Sequence, residues 1–261
     1  MQWRCNHEMR YLQFGPLASI PGVWHGVFAR YAVDAQGERR SFNIGLNGHD
    51  TEARVWANRR LMLALYGGRR AVYARQVHGA EVAVWEKPEP SGATMPPDHF
   101  YLSGDALVTD APGAALVIQT ADCQGVMMVD PVRRVIANVH SGWRGSIQNV
   151  IGRTVATMAD RFHSRPENLV CGIGPSLGPC CAEFIHYRQE IPDQYWSYRR
   201  PGDLFDFWRL SIDQLVAAGV PRHRISVSGI CTRCNPHLFF SYRGEGLKAG
   251  RFAAVIGLLP Q

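Results

Sequence analysis

Three apolar runs crowded into one short stretch constrain this chain more than any other feature. Residues 114–120 (AALVIQT), 126–129 (VMMV) and 135–139 (VIANV) are too short for helices and too continuously apolar for half-exposed strands. They therefore read as strands buried on both faces. Asp130-Pro131 and Arg133-Arg134 mark a tight reversal between the second and third runs, because these residues favour turn backbone and interrupt a ladder. Folding the pair about that turn sets Gly125 opposite His140 and leaves Cys123 diagonally across. Diagonal neighbours lie about 7–8 Å apart at the backbone, within side-chain reach of a common point. A thiol and an imidazole are thus expected to converge just outside two strand ends.

The flanking segments supply helices. Asp50 or Thr51 can N-cap a helix to about Tyr66 that stops at Gly67-Gly68, with Val55, Arg59, Met62 and Tyr66 on one face. An arginine on an apolar face either snorkels to solvent or reaches into a site. Ser146 can N-cap an amphipathic helix whose apolar positions, Ile147, Val150, Ile151, Val155, Met158 and Phe162, recur by threes and fours. Residues 168–173 form another apolar run, 202–219 read as a helix closed by Gly219, and 225–230 as a strand. The four prolines of 86–104 predict a long loop. Hairpins mixed with occasional helices point to the α/β (α+β) class, with layered mixed β-sheets flanked by helices.

Charge narrows the chemistry. Of 28 basic residues only Lys87 and Lys248 are lysines, and no G-x-x-x-x-G-K-[ST] loop exists, so any phosphate must be held by arginines or backbone amides. The arginines are scattered in pairs rather than gathered in one tract, which argues against nucleic acid as a partner and leaves an anionic small molecule open. No run approaches the roughly 20 apolar residues of a membrane span and the N-terminus lacks a signal peptide, so a cytoplasmic location and no membrane contact are expected. Seven cysteines at irregular spacing read as reduced thiols rather than a disulfide framework.

The candidate chemistry centres on Cys123 and His140. Asp122 adjoins the thiol and can support it from behind. After His140, Ser141-Gly142-Trp143-Arg144-Gly145-Ser146 leads into a helix and offers an anion cradle built from Arg144 and the amides of Gly145 and Ser146. His78, next to Gln76, is a third donor. One thiolate and two imidazoles suit a zinc ion with an open fourth position, with copper as an alternative occupant. Gly174-Pro175-Ser176-Leu177-Gly178 fits G-x-S-x-G, but Pro179 and the vicinal Cys180-Cys181 do not suit the helix a nucleophile elbow requires. Cys231-x-x-Cys234 is a lone C-x-x-C, short of ligands for a structural zinc knuckle.

In chain order, RQVHG, GDALVTD, TADCQGVMMVD, VHSGWRG, GIGPSLG and CTRCNPHLFFSYR resemble the motifs of the YfiH-like, or laccase-domain, family. The resemblance implies one catalytic α/β domain over residues 24–261, with 1–23 as an N-terminal extension packed on it. It places His78, Cys123 and His140 at the family's zinc-binding and catalytic positions, with Asp122 and Gln76 in support. Asn43, Arg59 and Arg243 match further polar positions, which with Arg144, Gly145 and Ser146 are the expected phosphate- and substrate-binding residues. It also implies phosphorolysis of purine nucleosides with inorganic phosphate as co-substrate, and adenosine deamination and methylthioadenosine cleavage as related activities. A multicopper oxidase would need H-x-H pairs, and the ten histidines include none. The alternatives are a metal-independent Cys/His hydrolase, a copper-dependent polyphenol oxidase, and a non-catalytic arginine-rich module binding RNA or protein. A monomer is the expected state.

Overall fold

The computed structural model describes residues 1–6, 8–34, 36–46, 50–67, 70–86 and 99–260. Two mixed sheets are stacked face to face. The larger runs Gln2–Asn6, Met9–Gln13, Val23–Val33, Phe252–Leu258, Ala114–Thr120, Arg70–Arg75, His99–Ser103, with Arg39–Ser41 pairing beside Val23–Val33. The smaller runs Ile225–Val227, Val170–Ile173, Gln124–Asp130, Val135–Ser141, Ala106–Thr109, Val82–Val84. A layered mixed α/β architecture is what the hairpin-rich pattern predicts.

The central hairpin forms in the expected register, Gly125 against His140 and Val126 against Val139. Its ladder continues one pair further, to Gln124 against Ser141. His140 therefore lies within a strand rather than beyond its end, while Cys123 sits one residue before its strand. Between the sheets, Leu116, Ile118, Ala254 and Ile256 of the larger pack with Leu107, Met127, Val129 and Ile136 of the smaller, all at most 1% exposed. Such strands are apolar on both faces because helices cover the outer side of the smaller sheet. Val150, Ile151, Val155 and Met158 pack there against Val126, Val139 and Ile173.

Two polar devices set how the sheets meet. Asn138 donates both amide protons across the gap, to the Leu116 and Ala254 carbonyls at 2.9 and 2.8 Å. Gly125 lies so close to the larger sheet that an added Cβ would stand 2.5 Å from the Ala254 Cβ. Any side chain at position 125 would force apart the sheets directly beside His140. Gln2–Asn6 and Met9–Gln13 are the outermost two strands at one end of the larger sheet, and the fully buried Phe14 and Leu17 close over Gly172 of the smaller one.

Several local expectations are corrected. The helix capped by Thr51 is Glu52–Leu65, as the pattern predicts. Ser146, however, is not an N-cap. The chain first makes a short helix, Trp143–Ile147, then restarts at Val150–Phe162, where the Asn149 carboxamide caps by accepting from the Gly152 N–H at 3.1 Å. Asn149 adopts φ 57°, a left-handed conformation that asparagine tolerates better than most residues. The predicted helix at 202–219 starts only at Phe207, capped by Asp206, because Leu204–Phe205 is taken up in a small hairpin. Of the predicted 86–104 loop, residues 87–98 lie outside the described residues, and His99–Ser103 is a strand parallel to Arg70–Arg75. No described helix is long and apolar enough to cross a membrane.

His25 makes stability depend on pH. It is fully buried in Val23–Val33, its Nε2 accepts the Phe14 N–H at 2.8 Å, and burial pushes its pKa from 6.5 down to about 4. The unfolded chain thus binds this proton at higher pH than the folded one. The stability present above pH 6.5 falls as pH drops toward 4, by about 3 kcal/mol from this group. In urea titrations across that window, His25→Gln loses less stability per pH unit than the parent chain.

Candidate active site

The chemistry is assembled around one carboxylate. Asp105, fully buried just before Ala106–Thr109, accepts the His140 Nδ1 proton at 2.7 Å through Oδ1. The same carboxylate accepts the backbone N–H groups of Val77, His78 and Gly79 at 3.1, 3.0 and 2.8 Å. Burial alone would raise the Asp105 pKa. The hydrogen bonds from His140 and the backbone of Gly79 and Val77, with the His140 charge, outweigh it and hold the group below the usual carboxylate range.

That one acceptor positions two imidazoles. The turn wrapped around it holds His78 at φ 61° and presents its ring to solvent. Engagement of Nδ1 fixes the His140 tautomer and leaves Nε2 to face outward. The two rings meet edge to face, centroids 4.8 Å apart. Cys123 approaches from the neighbouring strand, and donor atoms of His78, Cys123 and His140 all lie within 4.8 Å of one another. Gly142 keeps this space clear: a Cβ there would stand 3.0 Å from the Cys123 Sγ and 3.4 Å from the His78 ring.

Charge and geometry make the thiol and imidazole a pair. Burial raises the Cys123 pKa, but charge and hydrogen bonding from His140 and His78 bring it down to about 6. Burial works against the His140 cation, while Cys123 and Asp105 push its pKa up to about 9. The metal-free pair is therefore thiolate and imidazolium near neutrality. The donor set, one sulfur and two nitrogens converging with a carboxylate behind one imidazole, fits zinc with an open coordination position.

These groups line a cavity of about 620 Å³, within the range that takes a small organic ligand. Of the sequence candidates, Gln76, His78, Asp122, Cys123, His140, Arg144 and Arg243 are on its wall. Gln76 pairs with the Gln119 backbone, donating to its O and accepting from its N–H at 2.8 and 2.9 Å. Asp122 supports the site differently from expectation. Its carboxylate accepts the hydroxyls of Thr232 and Ser241 at 2.6 and 2.7 Å and the Arg243 N–H at 2.5 Å. It thereby ties the C-terminal segment to the loop carrying Cys123. Arg144 stacks on Trp143, and Arg243 reaches the carbonyls of Cys181 and Glu183.

Asn43, Arg59, Gly145 and Ser146 do not line the cavity. Arg59 is 1% exposed; it lies over the Tyr73 ring, bonds the Tyr101 hydroxyl and donates Nε–H to the Ile44 carbonyl at 2.8 Å. An aromatic cage absorbs the charge that the helix pattern made available to a ligand. Asn43 accepts the Arg251 N–H at 2.7 Å and so acts one step back, on an arginine that does line the cavity. Gly145 packs against the Gly79 carbonyl, and the Ser146 hydroxyl meets that of Ser141 at 3.0 Å. Sequence reasoning missed Asp105 and Arg251. Asp105 stands inside GDALVTD, but nothing local marks it as the partner of a histidine 35 residues on.

The sequence profile of the family described as Multi-copper polyphenol oxidoreductase laccase matches residues 24–259. The chain is 32% identical over 250 residues to the purine nucleoside phosphorylase YlmD of Geobacillus stearothermophilus, covering 90% of each. It is 31% identical over 260 residues to a purine nucleoside phosphorylase of Deinococcus radiodurans, covering 93% of each. Among solved structures, the hypothetical protein YfiH of Bacillus licheniformis superposes with a TM-score of 0.82 at 27% identity, over 98% of both chains. YlmD from Geobacillus stearothermophilus gives 0.81 at 29%, again over 98% of both.

Two outcomes follow from this geometry. Asp105→Ala removes the acceptor for four donors and strands a buried imidazolium; it lowers unfolding free energy by about 3–5 kcal/mol in chemical denaturation and weakens zinc affinity roughly 10–100-fold. Zinc affinity at His78, Cys123 and His140, followed by competition with a chromophoric chelator, is expected to rise about tenfold per pH unit from roughly pH 7 to pH 9. In that window the thiol has already ionised and the His140 proton is the one displaced.

Proposed function

The chain belongs to the family described as Multi-copper polyphenol oxidoreductase laccase, and on that premise we propose that it is a zinc-dependent purine nucleoside phosphorylase that also deaminates adenosine. The observation that carries this reading is the placement of His78, Cys123 and His140 on a cavity whose wall also holds Arg144, Arg243 and Arg251 beside the aromatic faces of Phe184 and Tyr242. The relatives named purine nucleoside phosphorylase support it.

Phosphorolysis joins a phosphate oxygen to the anomeric carbon as the bond to the base breaks. The bonding pair leaves with the base, and the proton of hydrogen phosphate ends on it. The chain must therefore hold a dianion beside the sugar and cradle a flat ring. Arginines supply the first, through charge-assisted hydrogen bonds that need no lysine. Phe184 and Tyr242 supply stacking surface for the second. His78, Cys123 and His140 would hold the zinc, whose contribution is Lewis-acid polarisation, the requirement of the deamination reaction. Asp105 keeps His140 in the one tautomer that presents Nε2. Copper can occupy the same three donors without making a multicopper centre.

A second reading rests on the thiolate and imidazolium themselves. Cys123, His140 and Asp105 have the composition of a thiol-hydrolase triad, with the thiolate as nucleophile and His140 as proton carrier. The two readings divide on metal: chelation abolishes the first activity and spares the second.

Zinc-loaded protein incubated with adenosine or inosine, with and without inorganic phosphate, is the direct test. Chromatography shows free base and ribose 1-phosphate only when phosphate is present, and inosine from adenosine in its absence. Cys123→Ala lowers both rates by roughly 100-fold or more, and Arg144→Ala raises the KM for phosphate roughly tenfold. Absence of product from either nucleoside overturns the assignment.

A further inference from the structure

Four of the seven cysteines form a cluster that the cavity chemistry does not use. Cys180 and Cys181 follow Pro179 in the turn after Gly178, and Cys231 and Cys234 follow the strand Ile225–Val227. In sequence the C-x-x-C lacks a second pair of ligands. The fold supplies one from a segment fifty residues away: the Sγ of Cys234 lies 3.6 Å from that of Cys180 and 3.5 Å from that of Cys181. All four sulfurs lie within 4.8 Å of one another.

That spacing has a chemical meaning. Four sulfurs held tetrahedrally at about 2.3 Å from zinc stand about 3.8 Å apart, and the cluster spans the same range. All seven cysteines of the chain are free thiols. No carboxylate or imidazole belongs to the group, so the donors are uniformly soft and select a thiophilic cation over magnesium or calcium.

The backbone is set for the same arrangement. Ser176 and Cys231 form a parallel bridge, Ser176 N–H donating to the Ile230 carbonyl at 3.2 Å and Thr232 N–H to the Ser176 carbonyl at 3.0 Å. The Gly178 N–H points at the Cys231 Sγ at 3.3 Å, the sort of donor that offsets charge on a thiolate. A side chain at 178 is excluded, since its Cβ would stand 3.0 Å from the Cys231 Cβ and 2.9 Å from the Trp208 ring.

We propose that Cys180, Cys181, Cys231 and Cys234 form a structural tetrathiolate zinc site, separate from the His78–Cys123–His140 group. Its consequence is for the cavity wall. Ala182, Glu183 and Phe184 line the cavity directly after Cys181, and the Arg243 guanidinium binds the Cys181 and Glu183 carbonyls at 3.2 and 3.0 Å. Zinc joining the two segments fixes the wall against which Arg243 is held. The inference is independent of the nucleoside reading, because it concerns stoichiometry and spectrum rather than turnover.

The test uses the full chain carrying Cys123→Ser, which removes the only thiol of the other group and leaves the four-cysteine cluster intact. Saturated with zinc under a non-thiol reductant and desalted, this chain retains one zinc per molecule at the cluster. The same chain loaded with cobalt shows the intense visible ligand-field bands and sulfur-to-cobalt charge transfer of a tetrahedral tetrathiolate. Cys231→Ser introduced into it removes that spectrum. Should Cys231→Ser not fold, reaction of the zinc-loaded Cys123→Ser chain with a thiol reagent decides the matter, the four thiols being protected until a strong chelator is added. A chain without the tetrathiolate spectrum, or four thiols that react freely in the zinc-loaded state, overturns the proposal.

Discussion

The site depends on the burial of the Asp105 charge. A carboxylate with no exposure to water is tolerable only when hydrogen bonds and an opposite charge replace its hydration. Three consecutive backbone N–H groups and one imidazole do so here. The same bonds that compensate the charge curl residues 77–79 into the turn that presents His78, and they fix the ring of His140. The compensation of one buried group and the placement of two histidines are thus a single interaction.

The stacking of the sheets brings the rest to that point. Asn138 and Gly125 set the separation and alignment of the layers beside the hairpin that carries His140. Asp122, at φ 88°, turns the chain so that Cys123 faces the histidines while its own carboxylate holds Thr232, Ser241 and Arg243. Arginine then serves two ends. Arg59 is a core residue whose charge is spread over aromatic rings, while Arg144, Arg243 and Arg251 line the cavity. With almost no lysine in the chain, arginines both pack the core and line the cavity.

Part of this is legible in the residues themselves. The apolar runs and the aspartate-proline reversal specify the central hairpin and its register, and the register brings Cys123 toward His140. The Glu52–Leu65 helix and the buried face of Val150–Phe162 follow from caps and periodicity. Where the fold departs from expectation, a local signal has two physical outcomes. An arginine on an apolar helix face can reach a ligand or an aromatic cage, and Arg59 takes the cage. A serine ahead of an apolar helix can cap it or bond another hydroxyl, and Ser146 takes Ser141 because Asn149 restarts the helix downstream. Residues 99–103 hold a strand inside what reads as a loop, since their partner, Arg70–Arg75, is remote in sequence.

Apolar runs, turn residues and capping residues act over a few positions, so sequence alone settles the three central strands, the hairpin register and two of the three converging donors. Asp105 beneath His140, Arg251 on the cavity wall and the meeting of Cys180-Cys181 with Cys231 and Cys234 were decided by the tertiary structure. Each joins segments dozens of residues apart. Their proximity is a product of how two sheets stack, which no short window of sequence encodes.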